Sequence, residues 1–144
     1  MSTKEKTTDE LLNEIQNSRE IEKFIEQNSS EFADAPLHEH ICDIIKEKEL
    51  KKSKVVAGAG LNRIYGYQIL AGKRMPSRDK LIALGFGLHL KLDEMNDLLR
   101  YGGYSPLYAR NKRDAVIIFA LTNGKSIFIA NEMLFDNGFE ILTA

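Results

Sequence analysis

The chain has 144 residues, 43% apolar and 28% charged, with one cysteine and a formal net charge of -1. That length and apolar content fit one packed domain with a short extension. A lone Cys42 excludes an intrachain disulfide and suits a reduced, cytoplasmic setting, and the longest apolar run, 115–121, is far too short to span a bilayer.

Met1–Glu14 carries no apolar stretch behind its lysines, so no signal peptide is expected. Thr7 and Glu10 are spaced as a capping box for an acidic helix. Leu11, Ile15, Ile21, Phe24 and Ile25 supply its apolar positions, and a break near Asn17-Ser18 predicts two helices rather than one. Residues 28–36 read as a connection, because Pro36 disfavours helix at Ala35. Leu37, Ile41, Ile44 and Ile45 then recur at the spacing of one buried helix face, and this helix is expected to end in the lysines before Leu50.

The segment 50–74 predicts a short helix, a tight turn at Gly60, a second helix capped by Asn62 and a stop at Gly72. Two short helices at a steep angle can set the second into a DNA major groove. Charge follows the same boundaries. Residues 1–45 carry 4 Lys/Arg against 11 Asp/Glu, residues 46–80 carry 10 against 3, and residues 81–144 carry 6 against 7. The basic block is where a phosphate footprint would lie; a solvated lysine face is the plainer account of the same residues.

Ser77 is a cap for a helix through Leu84, Phe86 and Leu88. Leu92, Met95, Leu98 and Leu99 mark another, ending at Gly102-Gly103. Beyond this, Val116–Phe119, Asn123-Gly124 and Ile127–Ile129 look like a β-hairpin. A self-comparison points elsewhere. Shifted by 35 residues, 78–107 lies over 113–142 without a gap and with seven of thirty positions identical. Residues 113–142 are therefore expected to form a second helical hairpin, with Ser126 as a cap, that stacks on the first and extends its core.

On a helix beginning at Asn62, residues Leu61, Tyr65 and Ile69 share the face expected to pack inward. Ile64, Tyr67, Gln68 and Ala71 share the opposite face, with Arg63 in the first turn. Arg matches guanine bidentately, Gln matches adenine, and an apolar group meets the thymine methyl. Arg63, Gln68 and Ile64 supply one of each, and Tyr67 suits a phosphate or sugar.

The stretch 37–103 resembles the Cro/phage-repressor (XRE) type of helix-turn-helix regulator. The resemblance is carried by Gly60-Leu61-Asn62-Arg63, Gln68-Ile69 with Gly72-Lys73-Arg74, Pro76-Ser77-Arg78-Asp79-Lys80-Leu81, and Leu92-Asp93-Glu94-Met95-Asn96-Asp97-Leu98-Leu99. It implies five helices, with Arg63, Ile64, Tyr67 and Gln68 as base-reading candidates. Lys52, Ser53, Lys54, Asn62, Lys73 and Arg74 are the phosphate candidates. Four features depart from the family pattern. Lys51 stands in the usual capping slot, Val56 replaces a habitual small residue, and Gly66 replaces a habitual Ile or Val with Gly58 in the helix before it. Leu70 and Ala71 replace residues that are often charged. A mid-helix glycine costs about 1 kcal/mol relative to alanine. The pattern leaves open a looser recognition helix or one in which Tyr65 and Tyr67 fill the gap, with an outer face more apolar than DNA requires.

His38, His40 and Cys42 form a string too short of partners to complete a tetrahedral metal set. Gly85-Phe86-Gly87 lacks the context of a phosphate loop, and no catalytic arrangement stands out. The expected architecture is all-α: an acidic helical arm (1–35), a five-helix repressor-like helix-turn-helix domain (36–107) and a C-terminal helical hairpin on the same core (108–144). The expected function is sequence-specific binding of double-stranded DNA as a homodimeric cytoplasmic transcription regulator, without catalytic activity, metal, cofactor or membrane. The alternative is a protein-interaction adaptor that kept the fold and binds a protein partner through its helix-turn-helix face, the arm or the hairpin.

Overall fold

The computed structural model describes residues 6–17, 20–27 and 35–143, and every regular element among them is an α-helix. The chain divides into two compact units, Met1–Ala35 and Pro36–Ala144. The first carries α1 (Thr8–Asn17) and α2 (Ile21–Gln27). Its capping box forms: Thr7 Oγ1 accepts from the Glu10 N–H at 3.1 Å, and the Thr7 N–H donates to the Glu10 carboxylate at 3.4 Å. The break in the apolar stripe falls between the two helices. Most of the connection expected over 28–36 lies outside the described residues.

The second unit carries α3 (Leu37–Glu47), α4 (Lys52–Gly58), α5 (Arg63–Leu70), α6 (Arg78–Gly87), α7 (Leu92–Tyr101), α8 (Lys112–Thr122) and α9 (Ile127–Asp136). The sequence-predicted caps act as caps. Asn62 Oδ1 accepts from the N–H groups of Ile64 and Tyr65, Ser77 Oγ from Lys80, and Ser126 Oγ from Ile129. Each satisfies backbone donors that a helix start leaves without partners. One continuous apolar core runs from Ile41 of α3 to Leu142 beyond α9. Helix α6 is its centre. Every residue from Leu81 to Leu88 is buried, because α4, α7 and α9 all pack against it. The approach of α4 is close enough that a Cβ on Gly87 would lie 2.2 Å from the Val55 carbonyl oxygen, and one on Gly58 would lie 3.3 Å from Gly87 Cα. Gly87 is therefore required by contact between backbones, while the approach at Gly58 is tight but leaves room for a methyl.

Helix α5 sits on α4 through a pair of exchanged sizes. A Cβ on Gly66 would lie 2.4 Å from Val56 Cγ1, so the large Val56, buried in α4, occupies the space that a side chain at Gly66 would need. This removes the gap expected from Gly66; neither a loosened α5 nor filling by the tyrosines is needed. Leu70 is also corrected. It is buried in the core rather than added to the outer face, and its carbonyl accepts the Cys42 thiol at 3.5 Å.

The C-terminal third is helical, as the 35-residue shift predicts, and the repeat extends to backbone detail. His89 and Gly124, one shift apart, both take a left-handed conformation (φ 56° and 67°), as do Gly103 and Gly138 (83° and 78°). Asn96 Oδ1 accepts from the Leu107 N–H, and Asn131 Oδ1 accepts from the Leu142 N–H, each at 2.9 Å. The second hairpin extends the core of the first, as expected, but the two are not related by translation. Arg78 forms a bidentate pair with Asp114 (3.2 and 2.9 Å), and Arg113 forms one with Asp79 (2.8 and 3.0 Å). Asp79 and Asp114 are themselves one shift apart, so each hairpin gives to the other what it receives. Helix α6 meets α9 as α7 meets α8. Such reciprocity is the signature of an approximate two-fold axis; a translational stack would run the contacts one way only.

Candidate nucleic-acid interface

Helix α5 is positioned by its buried residues Gly66, Ile69 and Leu70, and by the loop after it. Gly72 takes φ 79°, and the Gln68 carbonyl accepts from the N–H groups of both Lys73 (2.9 Å) and Arg74 (3.3 Å). The loop thus folds back over the end of α5 and brings the Arg74 side chain to that of Gln68, where Nε donates to Oε1 at 2.9 Å. An open hollow of about 430 Å³ lies here, lined by Tyr65, Gln68, Lys73, Arg74 and Met75.

The base-reading candidates separate into two kinds. Arg63 and Ile64 are exposed, Ile64 to 70%. Tyr67 and Gln68 are half-buried, and Tyr67 packs against the core. The inward face assigned from spacing packs against the core as expected, with Ile69 buried and Leu61 and Tyr65 half-buried. The outward face is corrected at Tyr67, which packs against the core as well. The Arg63 guanidinium carbon stands 5.8 Å from the Tyr67 ring centroid, within reach of a cation–π contact that holds the arginine along the helix surface.

Among the phosphate candidates, Lys52, Ser53 and Lys54 are exposed in the first turn of α4, and Lys73 and Arg74 are exposed in the loop after α5. Asn62 is exposed at the start of α5, but its side-chain oxygen is committed to capping. Lys51 makes no side-chain cap; it is a further exposed cation before Lys52. Lys51, Lys52, Lys54, Arg63, Lys73 and Arg74 make no ion pair among the described residues, so their charge is directed to solvent. Sequence reasoning missed Met75, 62% exposed beside the hollow. Its only signal was its place before Pro76 at the close of the basic segment.

The His38–Cys42 string is dispersed. The His40 ring stacks on Tyr101 with centroids 3.9 Å apart, the Cys42 thiol faces the Leu70 carbonyl, and His38 lies where a side chain on Gly72 would stand. Among the described residues, no group of three or more His, Cys, Asp or Glu side chains is arranged to hold a metal, and no helix is long and apolar enough to cross a membrane. The chain matches no family model, no curated protein and no solved structure.

Proposed function

We propose that residues 37–103 are a five-helix, Cro/phage-repressor-like helix-turn-helix domain that binds double-stranded DNA and regulates transcription in the cytoplasm. The observation that carries this reading is the hydrogen-bonded pair Gln68–Arg74 on the same short helix and loop as exposed Arg63, in a segment whose exposed Lys51, Lys52, Lys54, Lys73 and Arg74 make no ion pair among the described residues. Helix α5 is the reading helix. Arg63 and Gln68 meet base edges and Ile64 meets a thymine methyl. Tyr67 serves as a support for Arg63, while Lys51, Lys52, Ser53, Lys54, Lys73 and Arg74 engage phosphates. One such helix spans too few base pairs for useful specificity, so the protein acts as a homodimer. The reading includes no catalysis and no cofactor.

The apolar outer surface favours a second reading, an adaptor that binds protein. Ile64 and Met75 are among the most exposed large apolar residues of the described chain. Selection of random duplexes by the purified protein, followed by titration in rising salt, separates the two. DNA binding gives an enriched motif and an affinity that falls with log[salt] at a slope near -0.9 per neutralised phosphate. Absence of any duplex binding at low salt, with a stable protein complex formed through Ile64 and Met75, establishes the adaptor.

A further inference from the structure

We propose that the outward face of α9 joins two copies of this chain, antiparallel about a two-fold axis. The internal repeat supplies the comparison that singles out this face. Positions 93, 94 and 100 of α7 hold Asp, Glu and Arg, with Asp93 and Arg100 exposed and Glu94 half-buried. One shift later, the same positions of α9 hold Phe128, Ile129 and Phe135, which are 58%, 39% and 74% exposed. The hairpin's own packing therefore asks for nothing apolar there, since its sister carries charges at the same places. Helix α9 keeps its inward contacts through Ile127, Ala130 and Leu134, all fully buried. Phe128 and Phe135, seven residues apart, lie on one side of the helix.

The size and the charges of the face fit a second copy. Taking about 200 Å² for a phenylalanine and somewhat less for isoleucine, these exposures leave roughly 330 Å² of apolar side chain on α9. A standard-size interface needs about 800 Å² from each subunit, of which roughly 500 Å² is apolar. About two thirds of that apolar share is present on α9 alone. Lys125 precedes the start of α9 and Asp136 ends it. Antiparallel apposition brings the Phe128 of each copy against the Phe135 of the other, and each Lys125 towards the opposite Asp136. A parallel pair would set like charges together. The two Glu132 carboxylates come nearest the axis and limit the strength of the dimer.

This inference goes beyond DNA binding and its test is separate. Sedimentation velocity of the full chain, from about 1 to 200 µM, is expected to show a monomer–dimer equilibrium within that range. Phe128→Asp, Ile129→Glu and Phe135→Arg together transplant the outer residues of α7 onto α9. They are expected to raise the dimer Kd by about 100-fold with the far-UV helical signal unchanged. Lys125→Asp and Asp136→Lys are each expected to weaken the dimer and together to restore it, and Glu132→Gln to tighten it. A monomer at the highest concentration overturns the proposal, as does a folded triple variant that dimerises like the parent or a charge exchange without recovery. A dimer that passes these tests but binds no duplex at low salt removes the DNA reading and leaves this one standing.

Discussion

Val56 and Gly66 have exchanged sizes across the α4–α5 contact, and a Cβ at Gly66 would lie 2.4 Å from Val56 Cγ1. The valine is β-branched and stiff, so it cannot swing aside cheaply. Gly66→Ala is therefore expected to destabilise the protein by about 2 kcal/mol through overpacking, despite alanine's better helix propensity. Adding Val56→Ala should relieve the clash, with a coupling of about 1–2 kcal/mol in a double-mutant cycle measured by urea unfolding. Strict additivity would show that the two residues do not meet.

The contact of α6 with α4 makes a sharper demand. Gly87→Ala would press a methyl against the Val55 carbonyl, which belongs to the backbone and cannot rotate away. The expected loss is about 3 kcal/mol or more. Gly58→Ala meets only Gly87, its Cα at 3.3 Å, and should change stability by less than about 1 kcal/mol, since its helix-propensity gain offsets the crowding. Thermal denaturation of the two variants side by side tests the difference.

Asp114 and Asp79 hold corresponding places in the exchanged ion pairs, but their settings differ. The Asp114 side chain is 8% exposed and that of Asp79 is 35% exposed. Asp114 also accepts the Tyr108 N–H at 3.0 Å. Removing its charge leaves the Arg78 guanidinium and that N–H short of a partner, so Asp114→Ala is expected to cost about 3 kcal/mol. Solvent screens Asp79, and Asp79→Ala should cost about 1 kcal/mol or less. Equal losses in chemical denaturation would refute this ordering.

The repeat also suggests a stabilising change. His89 takes the left-handed conformation that Gly124 takes one shift later, and a side chain there costs about 1 kcal/mol. His89→Gly is expected to recover about 0.5–1 kcal/mol, visible as a raised Tm, with no change in duplex affinity.

For the DNA reading, Lys52→Ala should weaken binding to all duplexes alike and lower the salt slope by about 0.9. Gln68→Ala should instead relax preference at one base pair, by about 1–3 kcal/mol of discrimination. It should also free Arg74 from its side-chain partner. Fluorescence anisotropy on the selected motif and its single-base variants distinguishes these outcomes.

The features legible in the sequence are those set by neighbouring residues. Thr7, Asn62, Ser77 and Ser126 cap helices because their side-chain oxygens reach N–H groups two or three residues on. The 35-residue shift overrode an Asn-Gly signal for a β-hairpin because apolar positions matched over two whole helices. What escaped depends on contacts distant in the chain. Helix α5 has eight residues, too few for periodicity to fix its faces when Gly66 interrupts the stripe, so Tyr67 and Leu70 were assigned outward. The fit of Val56 to Gly66 was invisible because each looks like a defect alone. Similarity between the hairpins set the shape of each but not the operation relating them; that lies in Arg78 and Arg113 reaching across to Asp114 and Asp79.

The axis between the hairpins has both its halves on one polypeptide, joined through residues 108–111. So short a tether holds them at an effective concentration of about a millimolar or more. Their pairing is thus a first-order event that dilution cannot reverse, whereas the association proposed for α9 would obey mass action. The molecule carries one symmetric joint that is permanent and, on α9, a face whose proposed pairing with a second copy would rise and fall with how much of the protein is made.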